Sequence, residues 1–83
     1  MYRAVTLYAL QNNFINENSF KVNDFVLELD KINLSFKFNE VLGFSEMYLN
    51  DVNVEKEIRT LEVSSYVSKV SAVPEVRYQL VKQ

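Results

Sequence analysis

Ile32-Asn33-Leu34-Ser35-Phe36-Lys37-Phe38 alternates apolar and polar residues without a fault. Successive side chains on an extended strand point to opposite faces, so this run predicts a strand with one face in a core and one in water. Phe36 and Phe38 then belong to the core face. Asn39 to Gly43 reads as a turn, Phe44 to Leu49 as a second strand, Asn50-Asp51 as a further turn, and Val52 to Val54 as a short third strand. The centre of the chain is therefore expected to be a small antiparallel meander.

Helical patterns flank it. Met1 to about Phe14 is rich in Ala and Leu, lacks Gly and Pro, and carries apolar residues on more than one face. No Ser, Thr, Asp or Asn precedes it as a cap. Asn16 to Ser19 is a polar break, with Asn18 or Ser19 as candidate cap. In Phe20 to Asp30, Val22, Phe25, Val26 and Leu29 have the spacing of one buried helix face, with a strand over Val26 to Leu29 as the weaker alternative. After the meander, Asn53 can cap a helix from about Glu55 to Ala72, with a bend at Thr60, where β-branched residues begin. Glu55 and Glu57 then sit in its first turn, where they complement the helix dipole. Pro74 suits the first position of a last helix, whose apolar side is Val76, Leu80 and Val81. Both ends of the chain read as cuts. The expected fold is α+β: a three-stranded antiparallel meander packed with about four helices in the order α-α-β-β-β-α-α.

The 83 residues suffice for one domain, 1–83, and not for two. Apolar residues make up 48% and charged residues 24%, and eleven aromatics supply large core side chains, so a folded core is within reach. With no cysteine to staple so small a domain, a reducing compartment, the cytoplasm, is expected. No apolar run approaches the roughly 20 residues of a membrane span, and no cleavage-site pattern follows the first helix. A net charge of −2 argues against nucleic acid or an anionic membrane as partner.

The missing residue types narrow the chemistry. Without His or Cys, neither a zinc site of the usual kind nor a Ser-His or Cys-His nucleophile can be built. Gly43 is the only glycine, so no phosphate loop or dinucleotide fingerprint is present. No catalytic residue is assigned, and neither a cofactor nor a metal is expected on this chain. What remains are three arginines, Arg3, Arg59 and Arg77, each a planar, permanently charged fork suited to phosphate and each otherwise a solvated helix residue. Arg3 stands out because its helix has little other polarity. Ser64, Ser68 and Ser71 form a row beside the Val63-Val67-Val70 stripe; such a row can meet a ligand or let another element pack close. Tyr2, next to Arg3, can stack on a base or sit half-buried on its helix.

Met1-Tyr2-Arg3-Ala4-Val5 resembles the start of the helix that follows a Ser-Gly-Ala stretch in bacterial cytidylate kinases. Glu57-Ile58-Arg59-Thr60-Leu61-Glu62-Val63, then Ser68, then Val73-Pro74-Glu75-Val76-Arg77 resemble the later part of the same region. The likeness extends over the whole chain and is loosest in the meander. It implies the nucleoside-monophosphate-binding region of such a kinase, excised from a longer chain. These enzymes transfer the terminal phosphoryl group of ATP, with Mg, to CMP or dCMP. By the resemblance Arg3 would contact the CMP phosphate, Ser68 and Arg77 would read the cytosine, Tyr2 would lie against the nucleotide, and Arg59 would fall in a substrate-binding motif. The region would close over CMP before transfer. The phosphate loop, the lid and part of the CMP pocket would belong to the missing remainder of the parent kinase, so the chain alone is expected to be inactive. The alternatives are a protein-interaction or self-association module, and double-stranded RNA binding, which the acidic Glu55, Glu57 and Glu62 argue against.

Overall fold

The computed structural model describes residues 2–82; Met1 and Gln83, at the ends of the first and last expected helices, lie outside it. The order is α1 (Tyr2–Gln11), α2 (Val22–Leu27), a 3-10 turn over Leu29–Lys31, β1 (Leu34–Asn39), β2 (Phe44–Leu49), β3 (Val52–Asn53), a 3-10 turn over Glu57–Arg59, α3 (Leu61–Ser71) and α4 (Pro74–Lys82). The α+β class and the order of elements agree with the sequence reading.

Helix α1 is the centre of the packing. Ala4, Val5, Thr6, Leu7 and Ala9 are all buried, which explains apolar cover on more than one face. Thr6 is a buried hydroxyl satisfied locally, its Oγ1 donating to Tyr2 O at 2.8 Å. The helix stops at Gln11, short of Phe14, because Asn13 adopts a left-handed φ of 61°. Asn13 N then donates to Leu10 O and Phe14 N to Ala9 O, a Schellman closure that turns the chain out of the helix. Phe14 and Phe20 lay their rings 5.7 Å from that of Phe25, which is fully buried in α2. The expected second helix is thus real but shorter, an α-helical turn and a half followed by the 3-10 turn. Lys21 occupies its N-cap position, and neither Asn18 nor Ser19 caps it. Asn16 Oδ1 instead accepts from the backbone N of both Asn18 and Ser19 to close the preceding turn.

The sheet has the order β1-β2-β3, all antiparallel. Asn39 Oδ1 accepts from Val41 N and Leu42 N, and Gly43 at φ 79° completes the first turn. Asn50 and Asp51 both take positive φ, 49° and 69°, the two-residue hairpin turn whose twist matches that of the strands. The register sets Leu34 opposite Leu49, Phe36 opposite Met47 and Phe38 opposite Ser45. Directly paired residues share a face, so Phe36 and Phe38 do lie on the face of Leu49 and Met47. They are nevertheless 58% and 65% exposed, which corrects their placement in the core. Met47 and Leu49 are buried and Leu34 half-buried. The packed end of this face covers those residues and stops short of the Phe36-Phe38 end, where Val41, Leu42 and Phe44 are exposed as well.

The expected continuous helix from Glu55 to Ala72 is broken rather than bent. Thr60 is extended, with φ −73° and ψ 156°, and its Oγ1 accepts from Val63 N as the N-cap of α3 while donating to Glu57 O at 3.0 Å. A hydroxyl that serves both sides of a break contributes about 1 kcal/mol as a cap. Asn53 Oδ1 does accept from Glu55 N, but it closes a turn, not a helix. Helix α3 packs on α1, and α4 packs on α3 and on the Leu29–Lys31 turn. Val63, Val70, Val73 and Val76 complete the core at these contacts.

Candidate functional site

The break at Thr60 lays the Glu57–Arg59 turn and the first turn of α3 against the start of α1. Arg3, exposed in the first turn of α1, reaches both. Its Nη1 donates to Ile58 O at 3.1 Å and to Ser64 Oγ at 2.8 Å. Two acceptors on one nitrogen fix that edge of the guanidinium. Arg59 is held in a similar way. Its Nη2 donates to Glu55 Oε1 at 2.7 Å, and its guanidinium carbon lies 5.8 Å from the centre of the Phe44 ring. Glu55 Oε2 in turn accepts from Met47 N at 2.7 Å. That backbone N–H, and after it the Arg59 guanidinium, hold the Glu55 carboxyl below the ordinary glutamate value, so it is ionised at neutral pH.

Arg3, Glu55, Ile58, Arg59 and Ser64 line one open concavity of about 440 Å³. Two guanidinium forks stand there against a single carboxylate whose two oxygens are already engaged. Such a surface suits an oxyanion with several acceptor atoms, phosphate above all. A concavity of similar size at the end of α1 holds Lys21, Lys31, Asp24 and Glu28. Its charges offset one another: Lys31 Nζ lies 2.8 Å from Glu28 Oε2, and that carboxylate raises the Lys31 pKa. It offers no comparable excess of either sign.

Of the residues expected from the sequence, Arg3 and Arg59 come together in one concavity. Tyr2 is half-buried on α1 and packs against the core. Ser68 is exposed on α3, one helical turn beyond Ser64 and on the same side. Arg77 is exposed on α4. Neither Ser68 nor Arg77 lines the Arg3-Arg59 concavity. Ser64 and Glu55 were not expected at the site. Ser64 stood in the serine row without a partner in view, and the signal for Glu55 was its spacing of four from Arg59, the reach of a helical ion pair.

Among the described residues no group of three or more His, Cys, Asp or Glu could hold a metal ion, and none of them forms a glycine-rich loop. The described residues thus offer no carboxylate cluster for Mg and no glycine-rich cradle for the phosphates of ATP. No helix among them is long and apolar enough to cross a membrane.

The α+β domain thus sets two anchored arginines in one concavity, an arrangement suited to an anion. A sequence model of the family described as Cytidylate kinase matches residues 1–83. The chain is 58% identical over 83 residues to proteins named cytidylate kinase in Flavobacterium psychrophilum and Flavobacterium johnsoniae, covering 100% of this chain and 37% and 36% of theirs. It is 47% identical over 83 residues to the cytidylate kinase of Cytophaga hutchinsonii, covering 99% of this chain and 34% of that one. The chain belongs to the cytidylate kinase family and spans about a third of the length of the curated relatives it matches.

Proposed function

We propose that this chain is the CMP-binding portion of a cytoplasmic cytidylate kinase, within which it presents CMP or dCMP to ATP. The whole enzyme would transfer the γ-phosphoryl group of ATP, with Mg, to give CDP or dCDP. The observation that carries the reading is the match of the full chain, at 58% identity, to proteins of that name. Phosphoryl transfer rests largely on positioning and electrostatics, and an arginine whose orientation is fixed before the ligand arrives serves both. Arg3 would take the nucleotide phosphate, with Arg59 beside it. Ser68 and Arg77 would read the cytosine edge, which presents an amino donor and two acceptors. A wrong base enclosed there would leave polar groups unpaired. Tyr2 would lie against the nucleotide. ATP and Mg would be held by the remainder of the kinase, so the 83-residue chain alone is expected to show no turnover with ATP and CMP.

The test is a backbone amide NMR titration of the chain with CMP, with AMP as control. Shifts centred on Arg3, Arg59, Ser68 and Arg77 with CMP, and not with AMP, are expected. Equal shifts with both nucleotides would refute base reading by Ser68 and Arg77. A second reading, self-association, is favoured by the exposed apolar end of the sheet at Phe36, Phe38, Val41 and Leu42. It requires a mass in sedimentation that rises with concentration and ignores CMP.

A further inference from the structure

Glu55 stands where a backbone carbonyl would stand in the sheet. The β2-β3 register pairs Tyr48 with Asn53 and Leu49 with Val52, so the next pair is Met47 with Val54. Val54 N donates to Met47 O at 3.0 Å, the first bond of a hydrogen-bonded pair. The reciprocal bond of such a pair runs from Met47 N to Val54 O. Here Met47 N donates to Glu55 Oε2 instead, and Val54 O accepts from Ile58 N at 3.0 Å. The released carbonyl opens the turn that leads to Arg59. The other oxygen of the same carboxylate then receives Arg59 Nη2. One side chain thus ends the third strand, starts the turn and anchors the guanidinium at its end.

We infer that Glu55 is a positioning residue for the phosphate site, acting through Arg59. The inference rests on the CMP-binding reading and adds a residue to it. Exposure separates the two roles: the Glu55 side chain is 14% exposed and faces inward to the sheet, whereas that of Arg59 is 65% exposed and free to meet a ligand. In Glu55→Gln the amide oxygen can still accept from Met47 N, but the amide nitrogen is a donor and cannot receive Arg59 Nη2, so Arg59 loses its anchor while the turn keeps its place.

The experiment is a double-mutant cycle on the 83-residue chain, with CMP as probe and inorganic phosphate as a second probe, both followed by amide NMR. E55Q and R59A are each expected to weaken CMP binding by about tenfold, and the double variant to bind no more weakly than R59A alone. Additive losses in the double variant would make Glu55 a structural residue independent of Arg59 and overturn the inference. E55Q binding as tightly as the wild type would overturn it too, while leaving the CMP reading intact. A wild-type chain that shows no shifts with CMP overturns the CMP reading, and the inference falls with it. Should E55Q lose its dispersed amide spectrum, Glu55→Asp keeps the charge and shortens the reach by one methylene. It is expected to bind several-fold more weakly, and wild-type affinity in that variant would refute the positioning role.

Discussion

Ser64→Ala removes one of the two acceptors that hold the Arg3 guanidinium and leaves Ile58 O in place. Hydrogen bonds to charged groups contribute about 1.5–3 kcal/mol when shielded from water. This pair is exposed, where measured pair energies fall below ~1 kcal/mol. Ser64→Ala is therefore expected to cost about 0.5–1 kcal/mol, and Arg3→Ala, which loses both bonds, about 1–2 kcal/mol. Ala is the better helix former in α3, so the net cost of Ser64→Ala falls toward the lower end of its range. The double variant should be about as stable as Arg3→Ala, giving a coupling of about 0.5–1 kcal/mol. Urea unfolding followed by far-UV circular dichroism can resolve this. With a slope of about 1 kcal/mol per molar for so small a domain, Ser64→Ala moves the midpoint by about 0.5–1 M. Losses that add in the double variant, with coupling near zero, would mean that the 2.8 Å contact does not persist in solution and that Arg3 is not pre-oriented.

Phe25→Ala, at the fully buried junction of three rings, is expected to cost about 3–5 kcal/mol, much of the stability of a domain this size, and a cooperative thermal transition close to that of the wild type would refute its place in the core. The pair Phe36→Ser and Phe38→Ser should each cost less than about 1 kcal/mol in urea unfolding, because neither ring is in the core, and a loss of the size expected for Phe25 would restore them to it. Glu55 has its pKa lowered by folding, so its contribution to stability is present above the unfolded glutamate pKa and is lost as pH falls through the lower folded one. Urea midpoints of the wild type should therefore fall on acidification more than those of Glu55→Gln, and parallel curves would contradict the link to Met47 N.

The meander was legible because alternation in Ile32 to Phe38 and the Asn50-Asp51 turn act within the chain, over distances that neighbouring residues control. Alternation also assigned the correct face to Phe36 and Phe38. It could not say how far the packed elements extend along that face, since this depends on contacts between segments distant in sequence. The Thr60 break was visible only as a bend, because a threonine within a helical pattern reads as a weak helix former until its hydroxyl is seen to cap Val63 and close Glu57. Arg3 was marked by its isolation among apolar neighbours, but its acceptors lie 55 and 61 residues away, beyond any local pattern. In sequence, the only partner in view for Glu55 is a helix dipole or Arg59 four residues on. Its actual role, standing in for a carbonyl opposite Met47, exists only once the β2-β3 register is known.

The placement of Arg3 has a thermodynamic consequence. It sits in the first turn of α1, where the helix dipole is already positive and no acidic residue of that turn offsets it, and a second guanidinium shares its concavity with a single carboxylate, that of Glu55. Like charges gathered there raise the free energy of the folded chain, and a dianion that binds between them lowers it by both direct attraction and relief of that repulsion. Recognition and folding are then linked equilibria: a ligand at a hundred times its dissociation constant would stabilise the native state by about 2.7 kcal/mol. A domain of this size would be kept folded in part by any such anion, and its melting temperature would report how much of that anion is present.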